Sequence, residues 1–114
     1  METLNKISEK IKSISDDSAL QKLSEELIEW KNDESTVTEL DSRIERFIGN
    51  IWIKSDAEHE TTYEIWSKFR DEKIKGIGGM TMTERLYHFD LQDRYDSSNL
   101  EGRNVIYQKL LAEK

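Results

Sequence analysis

Apolar residues recur at helical spacing behind one helix-start signal after another, and no proline anywhere in the chain interrupts them. In a capping box, a Ser or Thr side chain accepts from the backbone N–H three residues on, where a Glu or Gln reaches back. The sequence offers Ser18/Gln21, Thr36/Glu39, Ser55/Glu58, Thr81/Glu84 and Ser98/Glu101, each just ahead of an apolar stripe. Ser42/Glu45 and Thr61/Glu64 match the pattern too but fall inside helical runs.

The stripes predict the helices. Leu4, Ile7, Ile11 and Ile14 make one face of a first helix, and Leu20, Leu23, Leu27 and Trp30 make that of a second ending near Asn32. Val37, Leu40, Ile44, Phe47, Ile48, Ile51 and Trp52 make the third. The fourth runs from about Asp56 to Lys75 with Tyr63, Trp66, Phe69 and Ile74 inward, and Gly76 is expected as a left-handed C-terminal cap. Met82, Leu86 and Phe89 mark a fifth, and Leu100, Ile106, Leu110 and Leu111 a last one. All three tryptophans, Trp30, Trp52 and Trp66, fall on apolar stripes and are expected in the core. Strand patterns are weak, and proline, which all-β and loop-rich scaffolds use in turns and edges, is absent. The expectation is an all-α, single-domain bundle of five or six helices spanning residues 1–114.

Several chemistries find no footing. Without cysteine there is no disulfide, thiolate metal site or cysteine nucleophile. His59-Glu60-Thr61-Thr62-Tyr63 begins like the zinc motif H-E-x-x-H, but Tyr63 stands at the second ligand position. Asp90, Asp93 and Asp96 are spaced by three and are the one carboxylate group with cation-binding character; a solvated helix face and turn is the plainer reading. Glu25-Glu26-x-x-Glu29 lacks the matching pair that a helical phosphohydrolase places on its next helix, which offers Glu39, Asp41 and Glu45 instead. GIGG has neither phosphate-loop spacing nor a strand before it. No constellation makes an enzyme, and no cofactor is called for. The N-terminus lacks the apolar core of a signal peptide, and no apolar run is long enough to cross a bilayer, so the expected address is the cytoplasm.

Charge is the informative residue. Residues 16 to 45 hold ten acids and three bases, a surplus of seven that equals the net charge of the whole chain. Such a surface repels nucleic-acid phosphates and favours a basic protein partner. On a helix reaching Asp33, Glu25, Glu29 and Asp33 form a like-charged row opposite the apolar stripe, with Glu26 and Glu34 beside it. Glu60 and Glu64 lie in a second acidic stretch without a base. These seven carboxylates are the candidate partner-binding residues.

One segment has a family character. The stretch Gly76-Ile77-Gly78-Gly79-Met80-Thr81-Met82-Thr83-Glu84-Arg85-Leu86-Tyr87, followed by Phe89 and by Leu91-x-Asp93-x-Tyr95-Asp96, resembles the signature GGMTxNERLYxFGLxDxFD. That signature belongs to small bacterial proteins, some encoded beside polymorphic or contact-dependent growth inhibition toxins. The likeness is close over about twenty residues and looser from Phe47 onward, with departures at Thr83 (Asn in the pattern) and Asp90 (Gly). It implies an immunity protein, a cytoplasmic binder of a cognate toxin; taken with the localised acidic field, a basic toxin, a nuclease, is expected. Its residues read as architecture: a glycine cap, a capping box, Leu86 and Phe89 into the core, and Arg85 available to a carboxylate. The runner-up reading of the chain is a helical adaptor or regulatory subunit for some other protein, and a third is an enzyme using Asp90, Asp93 and Asp96 with Mg²⁺.

Overall fold

The computed structural model describes residues 3–50 and 53–111. Seven α-helices appear among them: α1 (Leu4–Lys12), α2 (Ser18–Asn32), α3 (Val37–Asn50), α4 (Asp56–Phe69), α5 (Met82–His88), α6 (Gln92–Asp96) and α7 (Leu100–Leu111). No strand occurs among the described residues. The helix beyond the expected six is α6, a single short turn that the sequence pattern left within a turn region. Ile51 and Trp52, assigned to the third stripe, lie outside the described residues.

α1 and α2 form an antiparallel hairpin: the Lys31 ammonium donates to the Asn5 side chain at one end, Ser8 meets Ser24 midway, and Gln21 donates to the Lys12 carbonyl at the other. α3 folds back along α2, and α4 packs on α1 before its C-terminal continuation reaches α3. α5, α6 and α7 close one end of this four-cornered arrangement, α7 touching α3. The core runs from Leu4 to Leu110 as one buried cluster. Through its middle passes a chain of aromatic contacts, Trp30 to Phe89 (5.6 Å), Phe89 to Phe69 (5.5 Å, edge-on) and Phe69 to Trp66 (6.2 Å), joining α2, the end of α5 and α4.

The helix starts follow the sequence signals with two displacements. Thr36/Glu39 and Thr81/Glu84 form both bonds of the capping box, and Ser55 caps α4 through the Glu58 N–H. Asp17 rather than Ser18 caps α2, and Asn99 rather than Ser98 serves α7, accepting from the Gly102 N–H at 2.8 Å. In each case the residue directly before or after the expected one takes the role, and aspartate and asparagine serve there as well as serine does. The inward set is corrected twice. Tyr63 lies at the surface on Arg70, and Leu100, 85% exposed, points away from the core at the first turn of α7.

Three backbone details arise from packing. Phe69 and Ile74 are five residues apart, one too many for an α-helical stripe, and a π-helical turn over Arg70–Ile74 brings both inward. Its wide turn is closed by Lys75 N–H donating to the Arg70 carbonyl at 2.9 Å. Gly76 follows, but with φ −87° it is not left-handed; it is needed because a Cβ there would stand 2.6 Å from the Glu72 carbonyl oxygen. The left-handed residue is Asp90, with φ 54°. The Asp90 carboxylate accepts from the Asn5 N–H at 2.7 Å, while Thr3 accepts from the Lys6 N–H, so two side chains satisfy the open end of α1.

Candidate partner-binding surface

The acidic row of α2 does not stand bare. Arg43, reaching across from α3, lies 2.6 Å from the Glu26 carboxylate, 2.9 Å from that of Asp33 and 3.6 Å from that of Glu29. One guanidinium thus relieves much of the like-charge cost expected of that row. Glu26 and Asp33 face the α2–α3 seam, whereas Glu29, its side chain 67% exposed, keeps only the long contact. Glu25 and Glu34 are exposed and form no ion pair with another described residue.

Asp33 is drawn furthest inward. Its carboxylate accepts from Arg43, from the Ser35 N–H and from the Lys109 ammonium at 3.0 Å. Burial acts to raise its pKa, but the bonds from Lys109, Ser35 and Arg43 outweigh that and hold it below the usual carboxylate value. Lys109 itself is 0% exposed and donates also to the carbonyls of Asp33 (3.0 Å) and Ser35 (2.8 Å). Its ammonium lies 3.8 Å from the centroid of the Trp30 ring, whose N–H donates to Thr36. Arg94 of α6 adds bonds to the carbonyls of Lys31 and Asp33. The turn between α2 and α3 is therefore held from α3, α6 and α7 at once. Asp33, expected at the partner surface, is the keystone of that turn, and Glu34 is presented outward from it.

Glu60 and Glu64 occupy the outer face of α4, one turn apart and one turn beyond Asp56, and neither forms an ion pair with a described residue. α2 and α4 share no extended contact, each being flanked by α1 and by α3 or its neighbours. The two carboxylate sets thus lie on different corners of the bundle. A third concentration surrounds Arg70, which pairs with Glu45 and Asp71 and takes the Tyr63 hydroxyl at 3.0 Å. Asp41 borders this group with one enclosed carboxylate oxygen that has no hydrogen bond. Burial, then the nearby Glu45, pushes the Asp41 pKa up. A raised carboxylate pKa in the fold lowers stability at neutral pH and ceases to do so once the group is protonated. Asp41→Asn is expected to stabilise the protein by about 0.5–1 kcal/mol at pH 7. The gain should shrink as the pH is lowered towards 4 in parallel thermal melts of the two proteins.

The residues weighed for metal or catalytic chemistry are dispersed. Asp90 serves α1, Asp96 accepts from Gln92 at 3.1 Å, and Asp93 is exposed on α6. No group of three or more His, Cys, Asp or Glu side chains able to hold a metal occurs among the described residues. His59 contacts the Ile48 carbonyl at 3.2 Å, at the end of α3. Arg85 donates to the carbonyls of Leu110 and Leu111, closing the end of α7. No helix among the described residues is long and apolar enough to cross a membrane.

Arg43, Lys109 and Arg94 are the organising residues that the sequence pattern did not single out. Lys109 carried the one readable signal, standing three residues after Ile106 and directly before Leu110 on the inward stripe of α7. Compared with protein-family models, curated proteins and solved structures, the chain shows no match.

Proposed function

We propose that this chain is an immunity protein, a helical binder that neutralises a cognate basic toxin domain, a nuclease, by covering its nucleic-acid groove. The supporting observation is the localised anionic surplus of residues 16 to 45, which leaves Glu25, Glu29 and Glu34 exposed after Arg43 and Lys109 have taken their share. The resemblance of the segment 76–96 to immunity proteins points the same way. Carboxylates fixed on a helix and on a braced turn offer a nuclease's phosphate-binding cations a rigid substitute for the nucleic-acid backbone. Such fields speed encounter between oppositely charged proteins by about tenfold or more, and salt screens them. Glu60 and Glu64 give the α4 corner the same sign and act as a secondary surface.

The test is co-expression with the toxin domain encoded beside this gene, followed by association kinetics on the purified pair. Glu25→Lys, Glu29→Lys and Glu34→Lys together are expected to slow association about tenfold at low ionic strength and to flatten its salt dependence. The pair Glu60→Lys and Glu64→Lys should have the smaller effect. Failure of the unmodified chain to protect cells would end the immunity reading. Unchanged rates in both variants would remove these surfaces from it.

A further inference from the structure

A groove of about 380 Å³ lies between the start of α1, the end of α2 and the turn joining α5 to α6. Leu86 and Leu91, both buried, form its floor, and Tyr87, 54% exposed, stands in its wall. An aromatic ring half in water beside an apolar floor has the character of an interface anchor.

The charges around the groove are not equally free. Lys31 donates to the Asn5 side chain, Arg94 to the carbonyls ending α2, and Asp90 accepts from the open end of α1. Each of these is engaged in holding two elements together. Asp93 is exposed and forms no ion pair with a described residue. Along α2 the groove is walled by Asn32, and exposed Glu29 and then Glu25 follow on the same outer side. An apolar occupant would leave the Asp93 carboxylate covered and unpaired, which is costly. A guanidinium matches both available features, lying flat on a tyrosine face while its N–H groups engage a carboxylate.

We infer that this groove is the socket for an arginine side chain of a cationic protein partner, stacked on Tyr87 and paired with Asp93. The inference rests on the reading of the chain as a binder of a basic protein, and it names where that partner's anchor enters. The carboxylates of α2 then form the flank along which the rest of the partner's positive surface lies. Arginine is preferred to lysine because only the planar group satisfies ring and carboxylate together.

The full chain, isotopically labelled, is titrated at low salt with an eight-residue peptide of alternating arginine and glycine, and with the same peptide carrying uncharged citrulline. The arginine peptide should shift the amide signals of residues 31–32 and 86–94 saturably, and the citrulline peptide should leave them in place. Tyr87→Ala is expected to weaken binding about 2- to 5-fold, with Tyr87→Phe close to the parent. Asp93→Asn should weaken it by at least a similar factor. Because Tyr87 and Asp93 are exposed, the spectra of the variants themselves report that the fold is kept. No shifts, shifts confined to α4, equal shifts with citrulline, or indifference to both substitutions would overturn the socket. Peptide binding here without protection of cells would instead sink the immunity reading and leave the socket standing.

Discussion

Replacing Lys109 with alanine is expected to cost about 3–5 kcal/mol of stability, the range for removing one partner of a buried charged pair. The three ammonium protons are matched by three oxygens, the Asp33 carboxylate and the carbonyls of Asp33 and Ser35, all within 3.0 Å. The substitution orphans acceptors at the α2–α3 turn and removes the cation over Trp30, so packing and hydrogen bonding are lost together. Lys109→Met keeps most of the aliphatic volume and should cost about 1–3 kcal/mol, the penalty for the stranded acceptors. Urea unfolding of the three proteins measures both values. Equal stability of the alanine variant and the parent would show that the turn does not need its ammonium.

The same residue gives a pH signature. Burial, only partly offset by Asp33, pushes the Lys109 pKa down to about 8. The free side chain titrates near 10.4, so between roughly pH 8 and 10.4 the unfolded chain holds a proton that the folded chain has released. Stability from this group therefore rises with pH across that window, by an amount on the order of 3 kcal/mol over its whole width. Lys109→Met should remove that rise. Subtracting the variant's pH–stability curve from the parent's isolates it from the tyrosines and other lysines that titrate in the same range.

The sequence patterns reached the helices because helix starts and stripes are local. Thr81 and Glu84 meet within one turn, and Leu86 and Phe89 follow at the spacing that their burial requires. Charge partners are set by tertiary geometry, so they could not be read the same way. Asp33 and Lys109 are seventy-six residues apart, and nothing between them announces that α7 crosses the end of α2. The acidic row was visible as a row, but Arg43 enters it from another helix and divides it into an inward part, Glu26 and Asp33, and an outward part, Glu25 and Glu29. The candidate surface was thus legible in its sign and its helix. Which carboxylates remain available to a partner depended on which cations the fold brings to them.

Asp90 shows how local and distant requirements meet at one residue. At φ 54° an ordinary side chain is strained, and glycine, which occupies this place in the immunity-protein pattern, is not. Asp90 stays because its carboxylate reaches eighty-five residues back in the chain to the Asn5 N–H, at the positive end of α1. Alanine would bear the left-handed strain without the bond. Asp90→Ala is expected to destabilise by about 2–3 kcal/mol, from about 1–2 for the conformation and about 1 for the lost cap. Asp90→Gly relieves the strain and forfeits only the cap, so its cost should stay near 1 kcal/mol. Asp90→Asn, which tolerates the conformation and still accepts a hydrogen bond, should lie closest to the parent. The order Asp, Asn, Gly, Ala in chemical unfolding would establish that both requirements act. Alanine as stable as glycine would mean that the turn relaxes out of the left-handed region, and a glycine variant as stable as the parent would mean that α1 needs no acceptor beyond Thr3.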